Sequence, residues 1–216
     1  MILVTGAGRC GSSLLMQTLH LLGLPLYGNP LGGEYNTLAP FDRSNKIADQ
    51  IRNKNPKGYW ELDIESTLKM CPSSFPNHKG KAMKALASTF TNIDKSVIEK
   101  VILCVRKDRK KQAKSMHELI KLEAEIHNNL TKDAGYTGKC IEQIKNWTEE
   151  DVVNNQYLAL DMITKKILEE SLNTLIVNFE DMLSDPQETI EEIITFLEID
   201  SLYDNVKEAV DNVDKR

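Results

Sequence analysis

The first 23 residues, MILVTGAGRCGSSLLMQTLHLLG, constrain the fold more than any other part of the chain. An apolar run that can form a buried strand leads into a glycine-rich turn, and an amphipathic segment follows that opens on Ser12 and Ser13. Glycines let the backbone turn tightly and approach an anion, while the amides and the dipole of a following helix attract it. The segment therefore predicts a strand, a phosphate-binding loop and a helix at the start of an α/β fold.

The glycine-rich loop departs from the nucleoside triphosphatase pattern G-x-x-x-x-G-K-[ST]. Gly6 and Gly11 have the spacing of that pattern, but Ser12 occupies the lysine position, and the cation within the loop is Arg9. The loop also contains G-x-G-x-x-G through Gly8, yet the residues after the helix do not predict the second strand with an acidic end that a dinucleotide site requires. Turn geometry alone can also account for such glycines. The position of the pattern nevertheless favours a phosphate-like ligand held without the usual lysine and Mg²⁺.

Length and composition set broader limits. A chain of 216 residues with a formal net charge of −5 suits one α/β domain and does not favour nucleic-acid binding. No apolar run reaches the roughly 20 residues that span a bilayer, and Met1 leads directly into strand residues without room for a signal peptide. The cysteines at 10, 71, 104 and 140 lack a paired spacing, which is typical of reduced thiols. We therefore expect a cytoplasmic protein without a membrane span.

The rest of the chain alternates apolar runs with amphipathic ones. Besides a strand at 2–5 and a helix at 12–22, the pattern predicts strands at 81–86, 100–105 and 174–179, and helices at 43–54, 109–130, 149–171, 187–197 and 202–211. The run KVILCV is almost entirely apolar, as is typical of a strand buried on both faces. Strands that alternate with helices favour a doubly wound parallel sheet, whose ligand binds at the carboxyl ends of the strands.

A second candidate anion site follows this most apolar strand. Arg106 comes directly after the strand, and the predicted helix that follows carries Ser115. An arginine fork can bind a phosphate through two hydrogen bonds, and a serine hydroxyl can add another donor. The lysines of the intervening segment KDRKKQAK fit a solvated basic surface better, whereas Arg106 leaves a buried strand at the edge where ligands bind. We therefore expect Arg106 and Ser115 to bind an anionic group.

Four stretches of the chain together resemble one known family. They are TGAGRCGSSLL, NPKGYWE, VILCVRKDRKKQAKSM and LIVNFEDMLSDPQETIEEIITFLEI, and the landmarks of the resemblance run from residue 2 to about residue 199. These stretches resemble the sulfotransferases that use 3′-phosphoadenylyl sulfate (PAPS), in which the first binds the 5′-phosphosulfate and the third binds the 3′-phosphate. The spacing R-x-D-R-x-x-Q-A-x-S is closest to the small bacterial sulfolipid-type branch. Arg9 stands where the cytosolic branch has lysine.

The resemblance implies a P-loop-type three-layer α/β fold with a central parallel sheet flanked by helices. It implies in-line transfer of a sulfuryl group from PAPS to a hydroxyl or amine acceptor, with Arg9 stabilising the leaving phosphate. The residues that it assigns to binding PAPS and the product adenosine 3′,5′-bisphosphate are Gly8, Arg9, Cys10, Gly11, Ser12, Ser13, Arg106 and Ser115. No metal is expected, because sulfuryl transfer has no γ-phosphate charge for a metal to neutralise.

The acceptor requires a general base within hydrogen-bond reach. Glu34, in the segment GNPLGGEYN, is the first candidate, because the base proposed for the sulfolipid-type branch is a glutamate in this loop. Glu61 ranks second, and His20 and His117 are further candidates. Each carboxylate also fits a solvated loop residue or a helix cap, so the assignment stays a hypothesis.

The acceptor and the competing functions stay open at this point. Residues 24–80 and 120–150 are expected to face the acceptor, which can be a small molecule, a carbohydrate or a lipid, and nothing in the sequence sets the oligomeric state. One alternative is a P-loop kinase acting on a small molecule or a nucleotide, against which Ser12 counts because it replaces the lysine. Another is a non-catalytic relative that binds a nucleotide or a protein partner through the same single domain, 1–216.

Overall fold

A parallel sheet of four strands organises the residues that the computed structural model describes, 1–27, 77–134 and 145–214. The strands are β1 (Ile2–Thr5), β2 (Ala82–Lys84), β3 (Lys100–Val105) and β4 (Thr174–Asn178). Their spatial order is β2-β1-β3-β4, so β1 pairs with both β2 and β3. Because all four run parallel, their carboxyl ends meet at one edge of the sheet, the edge where α/β proteins bind ligands.

Seven helices accompany the strands within the described residues. They are α1 (Ser12–Leu21), α2 (Ala87–Asn92), α3 (Arg109–Ala134), α4 (Glu149–Glu170), α5 (Phe179–Ser184), α6 (Pro186–Leu197) and α7 (Val206–Asp214). Short 3₁₀ helices span Lys95–Val97 and Asp200–Asn205. None of the described helices is long and apolar enough to cross a membrane.

The two faces of the sheet are covered by different helices. Val4 and Ile102 lie in a core shared with α1, α6 and α7, while Leu3 and Leu103 lie in a core shared with α2 and α4. This division follows from the two-residue repeat of a strand, which sends successive side chains to opposite faces. The result is three layers, helices–sheet–helices, and α3 packs beside α4 at the carboxyl edge of the sheet.

Local sequence signals explain where two of the longer helices begin. At the start of α4, the Thr148 side chain accepts a hydrogen bond from the Asp151 N–H, and the Asp151 carboxylate accepts one from the Thr148 N–H. At the start of α6, the Asp185 side chain accepts from the Glu188 N–H, and Pro186 occupies the first helical position. Both arrangements satisfy amides that have no acceptor within the helix.

The structure confirms the predicted α/β fold and its parallel sheet. The strand predicted at 81–86 is limited to Ala82–Lys84, and the strand predicted at 174–179 ends at Asn178 because Phe179 begins α5. The helix predicted at 202–211 begins only at Val206, because the preceding residues form a 3₁₀ helix.

Two short helices, α2 and α5, were not predicted. Each has six residues, too few for a helical repeat of apolar positions to stand out in the sequence. The helix predicted at 43–54 and most of the expected acceptor-facing segments lie outside the described residues.

Candidate phosphate-binding site

The first loop, residues 6–11 between β1 and α1, owes its shape to glycines that other residues could not replace without strain. A Cβ on Gly6 would lie 2.4 Å from the Cys104 carbonyl oxygen of β3. Gly11 has a left-handed φ of 100°, and its Cβ would lie 2.3 Å from Cδ2 of Phe179. Arg9 also adopts a left-handed φ, 66°, which residues with a Cβ rarely take. The backbone of the loop is therefore pressed between β3 and α5.

Two buried glutamines hold this loop from the side of α3 and α4. The Gly8 carbonyl accepts a hydrogen bond from Nε2 of Gln112 at 2.9 Å and another from Nε2 of Gln156 at 3.1 Å. Gln112 is fully buried and Gln156 is 5 % exposed. A carbonyl with two amide donors has a defined orientation, so these buried side chains fix the course of the loop that leads to the amides of α1.

A lysine reaches the loop from the neighbouring strand. Lys84, the last residue of β2, is 6 % exposed, and its Nζ donates to Oγ of Ser13 at 3.1 Å. A buried ammonium requires polar partners, and this one lies beside the first turn of α1. Lys84 was not predicted from the sequence, although a lysine that ends a short apolar strand was a usable signal. A cation is therefore present at the loop even though Ser12 occupies the lysine position of the motif.

The second loop, residues 106–108 after β3, brings the predicted Arg106 and Ser115 to the first loop. Nη1 of Arg106 donates to the Arg9 carbonyl at 3.4 Å, and Nε of Arg9 donates to Oγ of Ser115 at 3.0 Å. The structure thus gathers three sequence-predicted residues, from the two loops and α3, in one place. The Arg9 side chain lies on the Ser115 side of the loop.

Two neighbouring residues at the start of α5 contact Arg106, and neither was predicted from the sequence. The Arg106 guanidinium lies 4.7 Å from the centre of the Phe179 ring, and its Nε donates to Oε1 of Glu180 at 3.3 Å. Glu180 also accepts from the N–H of Lys107 at 2.8 Å and from the N–H of Asp108 at 3.3 Å. Partial burial opposes ionisation, but these hydrogen bonds and the Arg106 charge outweigh it and hold the pKa of Glu180 below its ordinary value.

A pair of thiols lies under the first loop. Cys10 and Cys104 are free, buried and in contact. The hydrogen bond from Cys104 and the N–H and hydroxyl of Ser12 lower the pKa of Cys10. The same hydrogen bond and burial raise the pKa of Cys104. At 1 % exposure, the Cys10 side chain packs inside the fold beneath the loop, and its N–H donates to the Ala7 carbonyl at 3.2 Å, so Cys10 helps to shape the loop.

The four candidate bases lie in different parts of the chain. Glu34 and Glu61 lie outside the described residues. His117 accepts or donates a hydrogen bond at 2.8 Å with the Trp147 carbonyl, and its Nδ1 lies 3.9 Å from Glu149, so it joins α3 to the start of α4. His20 is exposed in the last turn of α1, far along the helix from the loop.

Within the described part of the chain, no group of three or more His, Cys, Asp or Glu residues could hold a metal ion.

A parallel sheet whose first strand ends in a glycine-rich loop and a helix, with basic side chains at the ends of the adjacent strands, is an α/β architecture in which other proteins bind phosphate groups. The sequence matches the family described as Sulfotransferase domain over residues 2–216. The chain therefore belongs to the sulfotransferase family. No match is found among curated proteins or among solved structures.

Membership has direct consequences for function. The family consists of enzymes that transfer sulfuryl groups to small-molecule acceptors, and it generally uses PAPS as the co-substrate. The sulfotransferase interpretation of the sequence is thereby confirmed at the level of the family, and it takes precedence over the kinase alternative. The match is to the family as a whole and does not assign a branch.

Proposed function

We propose that this protein transfers a sulfuryl group from PAPS to a hydroxyl or amine acceptor by in-line displacement. The observation that carries the proposal is the arrangement of cationic side chains around one loop: Lys84 at the end of β2, and Arg9 and Arg106 beside Ser115. PAPS carries two anionic groups, the 5′-phosphosulfate and the 3′-phosphate. Two clusters of donors at adjacent strand ends fit two such groups.

The 5′-phosphosulfate is assigned to the first loop and the first turn of α1. The residues proposed to bind it are Lys84 and the set that the resemblance implies, Gly8, Arg9, Cys10, Gly11, Ser12 and Ser13. The loop and the helix supply amides, since the first N–H groups of a helix have no acceptor within it. Lys84 supplies the positive charge that the loop sequence itself lacks at residue 12.

The 3′-phosphate is assigned to Arg106 and Ser115. The guanidinium provides a planar fork of donors suited to a phosphate, and the Ser115 hydroxyl lies 3.0 Å from Nε of Arg9 within the same cluster. Arg9 is proposed to act at the leaving 5′-phosphate, as the resemblance implies. Its contact with Ser115 also gives it a place beside the 3′-phosphate, so Arg9 can link the two groups.

Bound PAPS supplies the activated sulfuryl group, and the residues around it stabilise charge and accept a proton. Lys84 and the loop amides stabilise negative charge that develops on the leaving phosphate, and they are fixed in place before the reaction. Glu34 is proposed to accept the proton of the acceptor hydroxyl, with Glu61 as the second choice. Both glutamates belong to the segment 24–80, which we propose to face the acceptor together with 120–150.

The motif spacing around Arg106 supports one finer proposal. It is that the protein belongs to the small bacterial sulfolipid-type branch. The acceptor is proposed to be a small molecule, a carbohydrate or a lipid, and the spacing does not choose among them. We also propose a single domain over 1–216, because 216 residues suit one α/β domain. A cytoplasmic location is proposed because the cysteines lack a paired spacing.

The direct test is product formation from PAPS. The purified protein is incubated with PAPS and a panel of sugars, phenols and hydroxylated lipids, and both the sulfated product and adenosine 3′,5′-bisphosphate are measured by mass spectrometry. Equal amounts of the two products support the proposal, and Glu34→Gln then tests the base separately. Bisphosphate binding without any sulfated product across the panel would favour a non-catalytic relative instead.

A further inference from the structure

The Arg106 guanidinium is held on three sides by groups that belong to other parts of the fold. Its Nε donates to Glu180 at 3.3 Å, its face lies 4.7 Å from the Phe179 ring centre, and its Nη1 donates to the Arg9 carbonyl at 3.4 Å. Arginine has several donors in one plane, so contacts at Nε and at the ring face set the direction in which the others point. The side chain is 18 % exposed, and its orientation is largely determined by protein groups.

Glu180 itself is fixed independently of Arg106. Its carboxylate accepts from the N–H of Lys107 at 2.8 Å and from the N–H of Asp108 at 3.3 Å, both in the second loop. Backbone donors hold a carboxylate in one place whether or not a ligand is present. The ion pair with Arg106 is therefore suited to persist when an anion arrives, rather than to be exchanged for it.

We infer that Glu180 is a positioning residue, which holds Arg106 in the orientation that binds the 3′-phosphate of the nucleotide. This inference rests on the proposed function, because it needs Arg106 to bind that phosphate. A long side chain that is ordered before binding does not lose its rotamer freedom on binding, so the complex is tighter. Phe179 also helps to orient Arg106, because its ring lies against the guanidinium. The ring occupies the space that a side chain on Gly11 would fill.

Glu180 also joins the start of α5 to the second loop through its backbone hydrogen bonds. A residue with that contact alone would have a purely structural role. The two roles differ in what they do to ligands. A structural defect weakens every nucleotide to a similar extent, whereas a positioning defect weakens the nucleotide with a 3′-phosphate selectively. Adenosine 3′,5′-bisphosphate and adenosine 5′-monophosphate form a suitable pair, because they differ in that group.

The experiment is calorimetric titration of both nucleotides into the wild type, Glu180→Gln, Arg106→Ala and the double variant. Glu180→Gln is expected to weaken the bisphosphate by about tenfold, the typical effect of a lost charge-assisted hydrogen bond, and to leave the monophosphate within about twofold. In the Arg106→Ala background, Glu180→Gln is expected to cause no further loss of bisphosphate affinity.

Asp181→Asn is the matched control. Asp181 follows Glu180 in α5 and pairs with the Lys107 side chain, so its substitution removes the same charge from the same helix. It is expected to leave both nucleotides within about twofold, because an exposed pair contributes little. If Glu180→Gln unfolds, as judged by circular dichroism, Glu180→Ala replaces it, because alanine brings no amide donor toward the backbone N–H groups.

Three results would overturn the inference. They are equal weakening of both nucleotides by Glu180→Gln, unchanged or tighter bisphosphate binding in that variant, and an undiminished effect in the Arg106→Ala background. Failure of the proposed function looks different, because the wild type itself would not bind the bisphosphate.

Discussion

The two loops at the carboxyl edge of the sheet are built in opposite ways. The first loop is shaped by backbone contacts, with Gly6 against β3 and Gly11 against Phe179, and is held by neutral glutamine amides. The second loop is held by charges, with Arg106 and two backbone amides around the carboxylate of Glu180. The first is therefore expected to be sensitive to added side-chain volume, and the second to the loss of charge and to pH.

The largest expected effect concerns the cation of the first loop. Lys84→Met should lower the turnover of PAPS by about a hundredfold or more, because it removes a fixed charge beside the leaving group. Lys100→Met is the matched control, since Lys100 is a partly buried lysine at the start of β3 that donates to the Phe196 carbonyl. Turnover with any acceptor found in the panel measures both. Equal losses in the two variants would show that Lys84 has only a structural role.

The second prediction tests the close backbone contact of the first loop. Gly6→Ala should lower the free energy of unfolding by about 3 kcal/mol, because the new Cβ meets a β3 carbonyl that cannot move without disturbing the sheet. Gly80→Ala is the control: Gly80 has a φ of 68°, but a Cβ added there would meet no atom within 4 Å, so about 1 kcal/mol of conformational strain is expected. Urea unfolding measures both values. A loss for Gly6→Ala no larger than that for Gly80→Ala would contradict the account.

The third prediction tests the neutral supports of the first loop. Gln156→Leu should cost about 1–2 kcal/mol of stability, because the half-buried Gly8 carbonyl loses one of its two amide donors. Bisphosphate affinity should fall as well, since the loop is then less well defined. Gln187→Leu serves as the comparison, because the side chain of this α6 residue bonds with Glu191 at the surface and should change stability by less than about 0.5 kcal/mol. Thermal unfolding and bisphosphate titration of both variants measure these effects. Equal losses in Gln156→Leu and Gln187→Leu would contradict the proposed support of the first loop.

The smallest effect concerns the pH dependence of the second loop. The pKa of Glu180 is lowered in the folded state, so its contribution is fully present above the ordinary glutamate value of 4.5 and is lost as pH falls through the lowered value. The difference in unfolding free energy between wild type and Glu180→Gln should therefore be positive at pH 7 and shrink as the pH falls below 4.5. Its size should stay below about 1 kcal/mol, because solvent screens a partly exposed pair. A difference that grows on acidification would have the wrong sign.

The sequence predicted the parts of the site that are continuous in the chain. An apolar run followed by glycines identifies β1 and the first loop, and Arg106 stands out because a charged residue directly follows a buried strand. These are local patterns, which can be recognised without knowing the tertiary contacts. The same reasoning placed β3 and the start of α3 at the correct residues.

The parts that escaped prediction depend on contacts between distant segments. Lys84 matters only because β2 pairs with β1, so that its side chain reaches Ser13. Glu180 matters only because β4 lies beside β3, which brings α5 to the second loop. The sequence around Lys84 or Glu180 does not show which distant residues these side chains contact. The role of Glu34 stays a prediction, because that residue lies outside the described part of the chain.

The central claim is that the two loops together hold a nucleotide with two anionic groups without the help of a metal. Calorimetric titration with adenosine 3′,5′-bisphosphate, in EDTA and in Mg²⁺, beside a titration with ATP and Mg²⁺, tests it most directly. We predict bisphosphate binding that is equal with and without Mg²⁺ and at least about tenfold weaker in Arg106→Ala. Binding of ATP with Mg²⁺ but not of the bisphosphate would contradict the account and favour a kinase.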